Sequence, residues 1–465
     1  MKSFSVARRR LSAKFLSKLM WQRRLVFWSG ALFVGMASVG FAMLSNAGQR
    51  VFLFEEAKIW WLPLLVTPIG FALIRWATRA YAPAAVGSGI PQAMAARDLP
   101  TTDERLTLLS PRVLLGKIVL TTLGLATGAS VGREGPTVQI GAGVMLQFGI
   151  WGGVQREKAL ILAGSAAGIA GAFNTPLAGI VFAIEEMSKA FEQRTNGLVL
   201  YAVIISGLVS LGLVGNYNYF GSSSGSVRDA ADWAMVAVCG VVGGLAGGLY
   251  SRWMLEGSRA VKRWCAPVGA RREVAVAVVC GLAVAAIGVA TAGDTFGTGY
   301  EQARAVIEGG TTSDTYWFGK FAATLATAVS GIPGGIFAPS LSVGAGLGSW
   351  LGTLLHTEQG SLVAVLGMAA YFAGVVQSPM TAFVIIMEMT DSHDNVIPLM
   401  IVSMMGYALS RAVAPEPLYR SLADGFLADL GRKNGHSAGR SADDDGEDDE
   451  GRAPRSRGSG GASLP

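Results

Sequence analysis

The sequence predicts an all-α polytopic membrane protein. Its charge content is too low for a soluble chain, it carries a series of apolar runs of membrane length, and glycine is spread through those runs. Of 465 residues, 51% are hydrophobic and 15% charged, with a mean hydropathy of +0.43. A soluble domain carries about a quarter charged residues. Runs such as Leu25–Leu44 and Trp60–Ile74 are long enough to cross, or nearly cross, a hydrocarbon core. The 62 glycines are nearly double the usual ~7% share and follow no collagen period. Small residues let membrane helices approach closely. A soluble enzyme, a disordered chain and a β-barrel all fit poorly.

The elements follow in order. Residues 1–24 form a basic N-terminus: Lys2, Arg8, Arg9, Arg10, Lys14, Lys18, Arg23 and Arg24 precede the first span, and no acid occurs before Glu55. Clustered Lys and Arg beside a span mark the cytoplasmic side, so the formal charge of +6 does not point to nucleic acid. The membrane domain covers 25–430, with apolar segments near 25–47, 60–80, 112–131, 158–190, 197–214, 233–254, 274–292, 316–331, 335–355, 361–390 and 395–413. Gly135-Pro136 and Pro333-Gly334 interrupt it, and Pro176 and Pro379 lie inside apolar runs. A broken membrane helix is tolerated where its freed backbone groups are buried in protein or line a cavity. Residues 431–465, rich in Gly, Ser and acids, read as a disordered cytoplasmic tail. Cys239, Cys265 and Cys280 have no metal-ligand spacing, and the three histidines stand alone; no disulfide, metal or other cofactor is expected.

The chain repeats itself. A shift of 203 residues aligns, without a gap, Lys117 with Lys320, Gly132 with Gly335, Pro136 with Pro339, Pro176 with Pro379 and Glu185 with Glu388, together with many glycines and alanines. The two copies span roughly 25–215 and 233–430. Connections in the first are basic (Arg97, Arg105, Arg112, Arg156, Lys158), whereas the matching stretches Ala305–Gly319 and Thr357–Leu362 hold no Lys or Arg. By the positive-inside rule the copies face opposite sides. Inverted repeats with broken helices place a binding site near the midplane.

The breaks supply the candidate residues. In Gly87-Ser88-Gly89-Ile90-Pro91, glycine allows close backbone approach, serine offers a hydroxyl, and proline suits a first helical turn. The helix start would aim free N–H groups at an anion; an ordinary helix cap is the bland alternative. Gly132-Arg133-Glu134-Gly135-Pro136 repeats the device with an acid, where its copy Gly335-Ile336-Phe337-Ala338-Pro339 has Phe337. An ionised Glu134 can occupy an anion position and, once protonated, yield it, coupling proton to anion. The alternative is a structural Arg133–Glu134 ion pair. Glu185, shared by both copies, reads as structural; Glu186, which aligns with Met389, reads as the proton-handling acid. Lys117 is expected to play a buried electrostatic role, with snorkelling as its alternative.

These motifs, with Asn174-Thr175-Pro176, Glu185-Glu186-Met187, Ser378-Pro379, Glu388-Met389-Thr390-Asp391 and Pro417-Leu418-Tyr419, resemble the signatures of the CLC family of chloride channels and chloride/proton antiporters over residues 20–430. The resemblance implies the CLC fold, about 18 membrane-embedded helices in two inverted halves, and a homodimer in the lipid bilayer with one ion pathway per subunit. It implies a central chloride held by the hydroxyls of Ser88 and Tyr419 and the backbone N–H groups of Ile336 and Phe337. Glu134 would be the external gate and Glu186 the internal proton-transfer acid. Gly87, Gly89, Pro91, Lys117, Arg133, Gly135 and Glu185 would support them. Function is then 2:1 antiport of chloride and protons across a bacterial inner membrane, both termini cytoplasmic, and no enzymatic activity. A passive chloride channel of the same family is the alternative. Ser88 fits chloride rather than nitrate, and the intact Gly-Arg-Glu-Gly-Pro differs from the fluoride branch. Gln92 stands where many members carry Glu, which bears on the charge of the intracellular entrance.

Overall fold

The computed structural model describes residues 18–188, 196–215 and 218–444; residues 1–17 of the basic N-terminus and 445–465 of the tail lie outside them. The first half runs α1 (Lys18–Lys58), α2 (Pro63–Tyr81), α3 (Ile90–Asp98), α4 (Thr102–Leu109), α5 (Pro111–Ala126), α6 (Glu134–Trp151), α7 (Glu157–Phe173), α8 (Pro176–Phe182) and α9 (Asn196–Val214). A π-helical turn, Ala183–Ser188, follows α8 directly. The second half runs α10 (Ala230–Cys265), α11 (Ala270–Ala290), α12 (Tyr300–Ile307), α13 (Tyr316–Val329), α14 (Phe337–Leu354), α15 (Gly360–Val376), α16 (Pro379–Thr390), α17 (Val396–Val413) and α18 (Leu418–Asp444). Helix α18 continues past the change in composition at Arg432. Among the described residues, six helical segments are each long and apolar enough to cross a membrane.

The repeat is visible in the elements. Helices α6, α7 and α8 begin at 134, 157 and 176, and α14, α15 and α16 at 337, 360 and 379, so each pair is offset by 203. Helix α7 ends on Asn174 and α15 on Gln377, both left-handed at φ 57° and 59°. Glycines carry the packing between them. A Cβ on Gly141 would lie 2.2 Å from the Gly164 carbonyl oxygen, and one on Gly348 2.2 Å from that of Val363. Any side chain there would force α6 from α7, or α14 from α15.

The two halves lock each other through their shared glutamates. Leu177 and Ala178, in the first turn of α8, donate their N–H groups to Glu388 Oε1 and Oε2 at 3.1 and 2.7 Å. Met380 and Thr381, in the first turn of α16, donate to Glu185 Oε1 and Oε2 at 3.1 and 2.6 Å. First-turn amides have no partner within their own helix, and an anion there also meets the positive end of the dipole. Each half therefore caps a helix of the other. Glu388→Ala is expected to destabilise the fold by about 1–2 kcal/mol, the usual cost of a lost cap, read as a lower melting temperature in detergent. A lone Glu185→Ala should cost the same.

Ion pairs brace the end of the molecule that carries the basic 252–272 segment. Arg420 holds Asp98 at 2.6 Å and Lys262 holds Asp429 at 2.6 Å. Arg259 donates to Glu416 and keeps its carboxyl below the usual carboxylate range.

Candidate functional site

Three glycine-rich breaks meet at the centre. Gly132 and Gly335 exchange backbone hydrogen bonds, N–H to carbonyl in both directions, at 2.6 and 2.7 Å. This reciprocal, antiparallel bridge is what a two-fold axis between the copies requires. The third break joins through Gly87, whose carbonyl accepts from the Gly334 N–H at 3.0 Å and whose N–H donates to the Ile332 carbonyl at 3.3 Å. The starts of α3, α6 and α14 are thereby held together. Gly135 makes the approach possible: a Cβ there would lie 2.4 Å from Ser88 Oγ and 3.3 Å from Gly335 Cα.

Around this point sit the expected anion ligands. Ser88 is 5% exposed and Tyr419 fully buried. Their hydroxyls are neighbours, yet neither makes a hydrogen bond of ordinary geometry to a described atom. Buried hydroxyls are normally partnered, and even a bond between these two leaves one O–H without an acceptor. Ile336 precedes and Phe337 opens α14, and both are buried. Their amides, at a helix start, face the same requirement.

Glu134, the first residue of α6, is fully buried. Its Oε1 accepts from the Tyr219 hydroxyl at 3.0 Å and lies 3.8 Å from Arg133 Nε. Its Oε2 has no hydrogen-bond partner of ordinary geometry. A Cβ on Gly132 would lie 2.4 Å from that oxygen and 3.2 Å from the Ala338 nitrogen, so the carboxylate folds back over Gly132 toward the opening turn of α14. The Arg133–Glu134 contact is a long one. Arg133 donates instead to the Ala42 carbonyl at 2.8 Å and to Asn46 Oδ1 at 2.6 Å, which ties the start of α6 to α1.

Lys117 and Lys320 are both fully buried, which rules out snorkelling, and the partners found are carbonyls rather than a carboxylate. Lys117 Nζ donates to Ala85 and Gly87 at 2.6 Å each and lies 3.5 Å from the Val86 carbonyl oxygen. Lys320 Nζ binds Thr295, Phe296 and Gly297 at 3.0, 3.4 and 2.7 Å. These triplets are offset by 210, not 203, and they reveal a duplicate loop that a gap-free comparison misses: Gly297-Thr298-Gly299-Tyr300-Glu301-Gln302-Ala303 against Gly87-Ser88-Gly89-Ile90-Pro91-Gln92-Ala93. Gly87 and Gly89 (φ +65° and +106°) and Gly297 and Gly299 (φ +66° and +75°) all use backbone open to glycine. In the second copy the Thr298 N–H donates to Gln49 Oε1 at 3.2 Å.

Gln92 holds the loop that carries Ser88. It is fully buried; its Oε1 accepts from the Gly89 N–H at 3.1 Å, and its Nε2 donates to the carbonyls of Ala84 and Val86 at 3.1 and 2.5 Å. Pro91 precedes it in the first turn, where a missing N–H costs nothing. Together with Lys117, the amide fixes the backbone that presents Ser88.

Glu186, 6% exposed, lies in the π-helical turn after α8. Such turns recur at functional sites. Ser378, the residue before α16, donates its hydroxyl to Glu186 Oε2. Tyr419 is within electrostatic reach of both Glu186 and Glu134. Helix α3 ties these parts together: it starts beside Ser88, its Arg97 donates to the Met187 carbonyl, and its Asp98 holds Arg420 next to Tyr419. Sequence reasoning did not single out Tyr219, the cap role of Gln92 or the Ser378–Glu186 bond. Only Ser378-Pro379, a copy of Thr175-Pro176, carried a signal.

Known proteins agree with this architecture. The family model described as voltage gated chloride channel matches residues 70–411. Among solved structures, a slow cyanobacterial Cl⁻/H⁺ antiporter superposes with a TM-score of 0.75 at 24% identity, over 87% of this chain and 97% of that one. A CLC-type fluoride/proton antiporter gives 0.75 at 23%, over 87% and 99%. A eukaryotic CLC transporter gives 0.68 at 21%, over 87% and 74%. With the family model spanning most of the membrane domain, and the inverted, glycine-broken helices meeting as described, this chain belongs to the CLC family of multi-pass membrane transport proteins.

Proposed function

We propose that this protein exchanges chloride for protons, with Glu134 as the gate that couples them and Glu186 as the acid that passes protons on the other side. The pair of adjacent hydroxyls on Ser88 and Tyr419, buried where three helix starts converge with no acceptor beyond each other, carries the reading. A small anion satisfies both hydroxyls and the first-turn amides of α14 at once, and helix starts favour negative charge. Glu134, whose free oxygen turns toward the opening turn of α14, competes with the anion for the amides of that turn when ionised and withdraws when protonated, so one proton exchanges with anion occupancy. Glu186, held by Ser378 within reach of Tyr419, supplies the second proton station.

The reading includes a homodimer in a bacterial inner membrane, both termini cytoplasmic, with 2:1 stoichiometry. Exposed apolar side chains such as Leu177 and Met380, both 54% exposed and offset by 203, suit a partner subunit or lipid. The test is a crossed gradient in liposomes. An inward chloride gradient should drive protons uphill in the wild type. Glu186→Gln should pass chloride while proton movement falls to background. Chloride flux in the wild type without any uphill proton movement would make the protein a passive channel instead.

A further inference from the structure

We propose that Tyr219 is the latch of the gate: its hydroxyl holds the ionised Glu134 carboxylate in the docked position and so sets the proton concentration at which the gate opens. This rests on the reading of Glu134 as the gate. Tyr219 belongs to neither repeat's helices. It lies on the non-helical stretch after α9, which is pinned to the end of α16 where Phe220 N–H donates to the Met389 carbonyl at 3.0 Å and Ser223 N–H to the Thr390 carbonyl at 3.1 Å.

The ring is 2% exposed and is wedged edge-on between Phe173, Phe220 and Tyr300, with centroids 5.2, 4.9 and 5.1 Å away. Aromatic rings packed in this way hold a fixed orientation. The Arg133 guanidinium lies 5.7 Å from the ring centroid, a cation–π distance. The hydroxyl therefore reaches Glu134 Oε1 at 3.0 Å from a fixed mount. The titratable and charged groups facing Glu134 are Arg133 on its own helix, Tyr219 from this stretch and Tyr419 from α18. Of these, Tyr219 is the one that donates to the carboxylate at ordinary hydrogen-bond distance.

An O–H group binds a carboxylate more strongly than a neutral carboxyl. The latch therefore favours the ionised, docked gate, and its removal favours the protonated, released one. Tyr219→Phe keeps the ring and its packing and deletes the donor. Half-activation of chloride flux should move to higher pH by about one unit, the size expected for a lost hydrogen bond to a charged group.

The experiment measures chloride efflux from liposomes against external pH for the wild type, Tyr219→Phe, Glu134→Gln and the double variant. An alkaline shift in Tyr219→Phe, with flat and superimposable profiles for Glu134→Gln and the double variant, supports the latch. An unshifted profile in Tyr219→Phe, with Glu134→Gln flat, overturns the latch and leaves the gate standing. A Glu134→Gln profile that still follows pH like the wild type overturns the gate and the latch together. A shift of equal size in both backgrounds overturns the latch, since Tyr219 would then act through another group.

Discussion

Glu134→Gln is expected to abolish proton transport and to leave chloride flux that no longer varies with pH. The amide keeps the size of the carboxyl group but cannot ionise, so it cannot contest the anion position as a charge. Glu134 is the buried acid at the meeting point of the helix starts, with one carboxyl oxygen on the Tyr219 hydroxyl and the other turned toward the first turn of α14. Proton flux should fall to background, a loss of at least tenfold, corresponding to about 1.4 kcal/mol or more in the coupled step. The check is simultaneous recording of chloride and proton movement from the same vesicles. Residual coupled exchange in this variant would remove the gate from the mechanism.

The second large effect is expected at Lys117. Its ammonium lies among three successive carbonyl oxygens of the loop that ends on Ser88, and Gln92 holds two carbonyls of the same stretch. Lys117→Met fills the volume but leaves buried acceptors without a donor, at a cost of about 1–3 kcal/mol for each. The loop then loses the register that puts Ser88 Oγ beside Gly135. Chloride affinity, read by calorimetry on purified protein, should fall at least tenfold, and the melting temperature should drop with it. Lys320→Met should lower the melting temperature similarly while leaving chloride affinity close to wild type, because its loop presents Thr298 to Gln49 rather than Ser88 to Tyr419. Equal losses of affinity in the two variants would count against a local role for Lys117.

Much of the architecture was legible because it was written twice. Pro176 and Pro379, Glu185 and Glu388, and Lys117 and Lys320 could be paired before any coordinate was known, since a duplication leaves polar residues in register within apolar segments. The expected structural role of Glu185 rests on that register, and the reciprocal caps give its physical form. The loop around Thr298 escaped because seven extra residues separate it from its partner, and glycine-rich matches at a second offset carry little weight alone. Lys117 could be placed inside the membrane but not assigned a partner: backbone carbonyls are present at every position, so no sequence pattern marks those that will gather round an ammonium. Tyr219 was invisible for a related reason. It lies on a connecting stretch with no periodicity, and its meeting with Glu134 depends on the fold bringing residues 85 positions apart into contact.

The mutual capping of α8 and α16 bears on how such a chain could arise. Before the two copies were fused, each would have needed an acid from outside itself to close its short helix. Two identical chains related by a two-fold axis would have lent that acid to one another. The present protein retains the exchange on both sides: severed and produced separately, each half should hold one uncapped helix until it finds the other.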